Sequence, residues 1–296
     1  MESSTVAAVG NEEAVAAWDG VLFDRFRQYR HIFTTGLGAH SDAAMALYPP
    51  PVGGRVVDIG CGFGDTTQQL AKLVGPDGEA VGIDAAPNFI EASIQEAEAA
   101  GVENVRFEVL DPQASALDET FDYAFSRMGV MFFGNPVAAY RNVRSMLNPG
   151  GEICWCVWRP KVENPWTARA EEIVLEFMEH PDPEDSDEPT CGPGPFSMGN
   201  PNTVSEQLKI AGFEVISFYR SDKPIKVGGD VEEALEVVKS LGPAGEIIRL
   251  AGEKADPFMP QIDAKLREMY VEYTDPDGAV RAPASVWIIS ARAAAD

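Results

Sequence analysis

The stretch VVDIGCGFGDT, Val56 to Thr66, decides how this chain is read. A short β-branched run, beginning at Arg55, leads into Gly60, Gly62 and Gly64, and the helix-like TTQQLAKLV follows. Strand, glycine turn and helix in that order make a place where a ligand can touch the backbone. Glycine removes the Cβ that would block the approach and tolerates positive φ, and the first amides of the next helix face the ligand. Asp65, with Gln68 three residues later, resembles a capping box for that helix.

Working outward, four more strands are expected: AVGIDAAP from Ala80, VRFEVLD from Val105, FDYAFSRM from Phe121 and GEICWCVW from Gly151. Helical stretches lie between them. Leu70, Leu73 and Val74 share one side of the first, and PVAAYRNVRSML begins with Asn135 as cap and Pro136 in the first turn. Strands alternating with helices predict an α/β chain whose parallel sheet is covered on both faces. AGFEVISFYR from Ala211 and ASVWIISAR from Ala284 read as two further strands. Before the sheet, Val15, Trp18, Leu22, Phe26, Tyr29 and Phe33 recur at helical spacing, interrupted near Gly20, until YPPPVGG breaks the chain at Tyr48 to Gly54. The expected organisation is an N-terminal helical cap segment, 1–50, and a domain, 51–296, with cap insertions at about 160–200 and 223–277. The acidic PDPEDSDEP in the first insertion reads as a solvated loop, not a metal site.

The glycine spacing is G-x-G-x-G, one residue short of the dinucleotide fingerprint, and Asp65 is a poor neighbour for a pyrophosphate. A P-loop pattern is missing. Asp84 ends the second strand, twenty residues after Gly64. A carboxylate there accepts hydrogen bonds from both hydroxyls of a ribose, so the ligand is a nucleoside, as in NAD enzymes and methyltransferases alike. Asp111, at the end of the third strand, suits an exocyclic adenine amine. Ser126 and Arg127 end the fourth strand beside the switch point where open sheets bind ligands. Asp58, just before the glycines, can face a ligand ammonium directly or through water, or bond the turn itself.

Together these residues resemble the class I S-adenosylmethionine-dependent methyltransferases. The matching pieces are VVDIGCGFGDTT, GIDAAP, VRFEVLDPQ, the run from Phe121 to Trp158, and the two closing strands. SRMGVMFF, NPW from Asn164 and GPGPFS from Gly192 are similar to a bacterial small-molecule subfamily grouped with ubiquinone/menaquinone-type methyltransferases. The resemblance implies a Rossmann-like seven-stranded sheet whose last strand runs antiparallel, inserted between strands five and six, with a mostly helical cap. It implies S-adenosyl-L-methionine as cofactor. Gly60, Cys61 and Gly62 would line its methionine part, Ser126 would lie near that moiety, Asp84 would hold the ribose with Ala85 beside the adenine, and Asp111 would meet the adenine amine with Pro112 packing nearby. Pro112 departs from the pattern because it has no N–H to offer. The [ND]-P-P-[FY] motif of enzymes that methylate base amines or glutamine is replaced by SRMG, and Asn135-Pro136 starts a helix instead.

The totals agree with a small organic methyl acceptor. A net charge of −24 opposes binding to nucleic acid or anionic membranes. The first twenty residues lack the pattern of a signal peptide, and no apolar run is long enough to span a membrane. The four cysteines, Cys61, Cys154, Cys156 and Cys191, show no metal spacing and are expected as buried free thiols in a cytoplasmic protein. No catalytic base is assigned. His31, His40 and His180 are the histidines available, and Trp18, Phe26, Tyr29, Phe132, Phe133, Trp166 and Phe196 are candidates to wall an acceptor pocket. Two alternatives stay open: an NAD-dependent oxidoreductase, and a protein that binds the cofactor without transferring anything.

Overall fold

The computed structural model describes residues 11–180 and 192–295. Seven strands form one sheet in the order β3-β2-β1-β4-β5-β7-β6. They are β1 (Arg55–Ile59), β2 (Glu79–Asp84), β3 (Val105–Val109), β4 (Phe121–Arg127), β5 (Leu147–Trp158), β6 (Phe213–Gly228) and β7 (Val280–Ala293). The first five pair in parallel, and β7 runs antiparallel between β5 and β6. Ile59 lies opposite Ile83, and Asp84 opposite Val109. The turns after β1, β2 and β3 therefore open at one edge, with the switch point between β1 and β4.

The two faces of the sheet follow the period-two alternation of the strands. Val56, Tyr123, Phe125, Cys154 and Cys156 point to one face, under α4 (Asp65–Val74) and the end of α3 (Arg30–Leu47). Val57, Ala124, Ile153, Trp155 and Val157 point to the other, under α6 (Pro136–Ser145) and α8 (Pro201–Ile210). Trp155 is fully buried there, with Tyr140 and Phe213 around it at centroid distances of 4.9 and 6.4 Å. Cys61, Cys154 and Cys156 are free and buried, and Cys191 lies outside the described residues. So does PDPEDSDEP.

Three expectations need correction. First, α3 is more than cap: Ala44 and Met45 pack under the sheet, and Tyr123 Oη donates to the Tyr48 carbonyl at 2.8 Å. An alanine-rich segment with few large side chains carried little periodic signal. Second, β6 continues through Pro224 to Gly228, so the start of the expected 223–277 insertion belongs to the sheet. Alternating Ile225 and Val227 turn inward there, and Pro224 is tolerated on an edge strand. Helices begin only with α9 (Val231–Ser240), followed by α10 (Gly242–Ala251) and α11 (Met259–Val271). Third, the expected capping box at Asp65 is not formed. Gly64 is the N-cap of α4 in the left-handed region, and the Asp65 carboxylate instead accepts from Arg127 at 2.7 Å. By contrast Asn135 caps α6 through its side chain, with Pro136 in the first turn.

His40 is locked between α3 and β6. Its Nδ1 lies 3.0 Å from Ser221 Oγ, and its Nε2 has no hydrogen-bond partner. Burial, with the Lys223 charge assisting, lowers its pKa from 6.5 to about 4. Between those values the unfolded chain binds the proton that the folded chain refuses, so His40 makes stability fall as pH drops from 6.5 towards 4. Relative to a His40→Gln variant, the protein is expected to lose about 3 kcal/mol over that window, read from urea unfolding at a series of pH values. A pH-independent difference between the two would contradict this account.

Candidate functional site

The turn after β1 is fastened to its neighbours before any ligand arrives. Gly60 and Cys61 both donate their amides to the Ile83 carbonyl, at 2.9 and 3.0 Å. Gly60 has φ 67°, and a Cβ on it would stand 2.9 Å from Gly129 Cα. The approach is mutual: a Cβ on Gly129 would meet the Ile59 carbonyl oxygen at 2.7 Å. Met128, with φ 61° and its N–H donated to Cys156 O at 2.9 Å, delivers Gly129 to this contact. A left-handed conformation is costly for such a residue, and it occurs here at the end of a site strand.

Asp84 completes the turn. Its Oδ2 accepts from Gly62 N and its Oδ1 from Ala86 N, both at 3.0 Å. Removal from bulk water raises its pKa to about 6, against the opposing pull of the backbone donors from Ala86, Gly62 and Ala85. Asp111 is 1% exposed; its Oδ1 accepts from Gln113 N at 2.9 Å and its Oδ2 from Asn11 Nδ2 at 2.8 Å.

A cavity of about 620 Å³ opens over this edge of the sheet. Gly60, Cys61, Gly62, Asp84, Ala85, Asp111 and Pro112 all line it, so seven of the nine cofactor candidates are brought together. Asp58 and Ser126 are not on its wall. Asp58 is fully buried under the turn, where its Oδ2 accepts from Thr66 Oγ1 at 2.6 Å and Thr67 Oγ1 at 2.8 Å. Its Oδ1 has no partner, and burial raises its pKa to about 6. Ser126 Oγ donates to the Ile59 carbonyl at 2.7 Å and accepts from Val130 N at 3.3 Å. These two side chains hold the floor of the site together.

The N-terminal helices roof the cofactor end. Between α1 (Glu12–Ala17) and α2 (Phe23–Gln28) the chain kinks at Gly20, which has φ −110° and ψ −109°. Asp19 accepts from Asn88 N at 2.7 Å, and Phe23 packs on Phe63 and Phe89 at centroid distances of 5.7 and 5.1 Å. Trp18 stands edge-on to Phe132 at 4.8 Å. Of the aromatic candidates, Trp18, Phe26, Phe132, Phe133, Trp166 and Phe196 line the cavity. Tyr29 does not; it packs with Ile32, Val237 and Leu241. The sequence reading missed Phe33, Met128, Trp158 and Ile247, which also line it. Their apolar character carries no signal that separates pocket from core.

The histidines part company. His31 is exposed and binds Glu233 at 2.7 Å, and His40 is buried under β6. His180 lines the cavity, with Nε2 4.0 Å from Glu171 Oε1. Among the described residues no cluster of three or more His, Cys, Asp or Glu is arranged to hold a metal, and no helix is long and apolar enough to cross a membrane.

Strand order, the reversed β7 and the glycine turn under a helical roof define the fold of the class I S-adenosylmethionine-dependent methyltransferases. Residues 52–182 match the family model described as "Methyltransferase domain". That match covers less than half of the chain, so it marks a similarity of this segment to methyltransferase domains. It is 35% identical over 107 residues to aklanonic acid methyltransferase DauC of Streptomyces sp. strain C5, covering 36% of this chain and 49% of that protein. It is 33% identical over 102 residues to demethylmenaquinone methyltransferase of Staphylococcus aureus, covering 34% and 42%. The chain thus spans about half or less of the curated relatives it matches. The crystal structure of a putative methyltransferase from Bacillus halodurans C-125 shares the fold, with TM-score 0.56 and 14% identity over 87% of this chain and all of that one.

Proposed function

We propose that this protein transfers a methyl group from S-adenosyl-L-methionine to a small, largely apolar organic acceptor. The observation that carries this reading is the single cavity running from Asp84 and the glycine turn to aromatic walls built by the helices. The site's residues fit the cofactor. Asp84 presents a carboxylate deep in the cavity for the ribose hydroxyls, and the glycine amides leave room for a chain to lie along the backbone. Asp111, which accepts from Asn11 and Gln113 N, stands on the cavity wall at the end of β3. The matched relatives are named for small organic acceptors, aklanonic acid and demethylmenaquinone, in accord with this reading. Reduced, buried cysteines accord with a cytoplasmic location.

Held by Asp84 and the glycine turn, the cofactor would supply an activated methyl group for an electron pair on the acceptor and would itself leave as a neutral thioether. The protein's residues align and enclose. Trp18 and Phe132 close the roof, and Met128 and Trp158 give an apolar wall that keeps water away. Such alignment can supply as much as about 7–11 kcal/mol in well-ordered systems. The acceptor's proton leaves either before binding or to a group on the cavity wall.

Thermal unfolding with S-adenosylmethionine, S-adenosylhomocysteine and NAD, followed by a methyl-labelled assay on an acceptor panel, tests the reading. The two sulfur compounds are expected to stabilise the fold by about 2.7 kcal/mol at a hundred times their Kd. Stabilisation by NAD alone would return the oxidoreductase alternative. Tight sulfur-cofactor binding with no transfer to any acceptor would favour a binding protein.

Proton linkage gives a second expected result. The ribose hydroxyls favour the ionised Asp84, whose pKa without ligand is about 6. Binding therefore releases a proton below that pH, and affinity is expected to fall about fivefold from pH 6 to pH 5. Calorimetry at pH 5.5 in buffers of different ionisation enthalpy reads the released proton. An Asp84→Asn variant is expected to show none.

A further inference from the structure

We propose that the wall of the cavity built by α7 (Pro165–Leu175) recognises a neutral hydroxyl group on the acceptor, at the end away from the methyl donor. This rests on the acceptor cavity proposed above. β1, β2 and β3, which carry the glycine turn, Asp84 and Asp111, lie on one side of β4, whereas α7 packs on β7 at the opposite side. The placement of α7 is firm: the Asn164 carboxamide accepts from Ser285 N at 2.8 Å and donates to Ser285 O at 3.1 Å.

α7 brings polar atoms to this wall from Trp166, Thr167 and Glu171, all cavity-lining, as is His180 beside Glu171. Thr167 and Glu171 are one helical turn apart and share a face. Glu171 is 6% exposed and is paired with Lys161 Nζ through Oε2, while His180 Nε2 stands 4.0 Å from Oε1. Trp166 Nε1 is buried and has no hydrogen-bond partner, although its ring packs on Trp158 at 6.0 Å. A buried donor without an acceptor is costly.

The set asks for a group that both donates and accepts. A hydroxyl donates to Glu171 and accepts from Trp166 Nε1 or Thr167 Oγ1. An acceptor carboxylate can accept from Trp166 Nε1 but has no hydrogen to donate to Glu171. An ammonium would find that charge already met by Lys161, and it could not accept from Trp166 at all. The hydroxyl so held is a handle that orients the ring system; the methylated atom lies at the other end.

The test uses the full chain saturated with S-adenosylhomocysteine and titrated by calorimetry with 2-naphthol, naphthalene and 2-naphthoate. 2-Naphthol is expected to bind about tenfold tighter than naphthalene, the yield of two net hydrogen bonds. Trp166→Phe and Glu171→Gln are each expected to weaken 2-naphthol more than naphthalene and so narrow that gap, with S-adenosylhomocysteine affinity unchanged. Equal binding of 2-naphthol and naphthalene, tighter binding of 2-naphthoate, equal weakening of both ring probes by the variants, or binding of no ring probe to the loaded protein would each overturn the inference. Failure of S-adenosylhomocysteine itself to bind would overturn the cofactor reading instead, and this inference with it.

Discussion

Replacing Asp84 with alanine is expected to weaken S-adenosylhomocysteine binding at least a hundredfold. Two charge-assisted hydrogen bonds to the ribose, at about 1.5–3 kcal/mol each, are lost together. The variant also releases Gly62 N and Ala86 N, so the turn loosens and the remaining contacts weaken. Asp84→Asn removes the charge at nearly constant shape, and it also turns one of the two acceptor oxygens into an NH2 that faces Gly62 N or Ala86 N. The sign of its stability effect is opposite to that of a normal salt-bridged carboxylate. A pKa raised from 3.8 to about 6 means that the folded state holds a proton the unfolded state has released across that window. Stability is therefore lost as pH rises through it, and at pH 7 the ionised carboxylate opposes folding. Relative to the parent, Asp84→Asn is expected to gain on the order of 1–3 kcal/mol of stability as pH rises from about 4 to 7, above a pH-independent loss from the unmet backbone N–H. A variant that is more stable and binds nothing would mark Asp84 as a group kept for its ligand. Urea unfolding and calorimetry on the same sample decide it. Undiminished S-adenosylhomocysteine affinity in Asp84→Ala would remove this carboxylate from the site.

Gly60→Ala is expected to destabilise the fold by about 2–5 kcal/mol, combining about 1–2 for the left-handed backbone and about 1–3 for overpacking. The new methyl group would press on Gly129 Cα, which is backbone and has no rotamer to change. Cofactor binding is expected to be lost as well, since the turn can relieve the contact only by moving its amides. Gly53→Ala is the control: Gly53 has φ 73° and nothing within 4 Å of an added Cβ. It is expected to cost about 1–2 kcal/mol, the backbone part alone. If the two substitutions cost the same in urea unfolding, the Gly60–Gly129 contact has no energetic weight.

The legible part of the molecule was its local part. VVDIG and GIDAAP read as buried parallel strands because their apolar residues are nearly continuous, and VRFEVL, which alternates apolar and charged residues, forms the half-buried edge strand β3. Asp84 was legible because it follows the glycine turn at a distance set by one β-α-β unit. Asn135-Pro136 was legible as a helix start because cap and first-turn residues act within one turn. The apolar cavity residues were half legible: Trp18 and Phe132 were named among the candidates, Tyr29 was named and went to the core, and Trp158 was passed over. Burial in a pocket and burial in a core select the same residue types, so no pattern along the chain tells them apart.

By itself, then, the sequence determined the strands, the glycine turn and the carboxylates that follow β2 and β3, because backbone conformation and side-chain alternation are set by neighbours a few residues away. Only the tertiary structure decided that Gly129 meets Gly60, that Asp58 binds Thr66 and Thr67 beneath the turn, that Asn11 reaches Asp111, and that α7 sets Glu171 beside His180. Gly60 and Gly129, like Asn11 and Asp111, are far apart along the chain, whereas Asp58 and its threonines and Glu171 and His180 are nearer, and all meet through the packing of helices on a sheet. Their identity follows from which elements the strand order makes adjacent, a property of the whole chain that no short window of it contains.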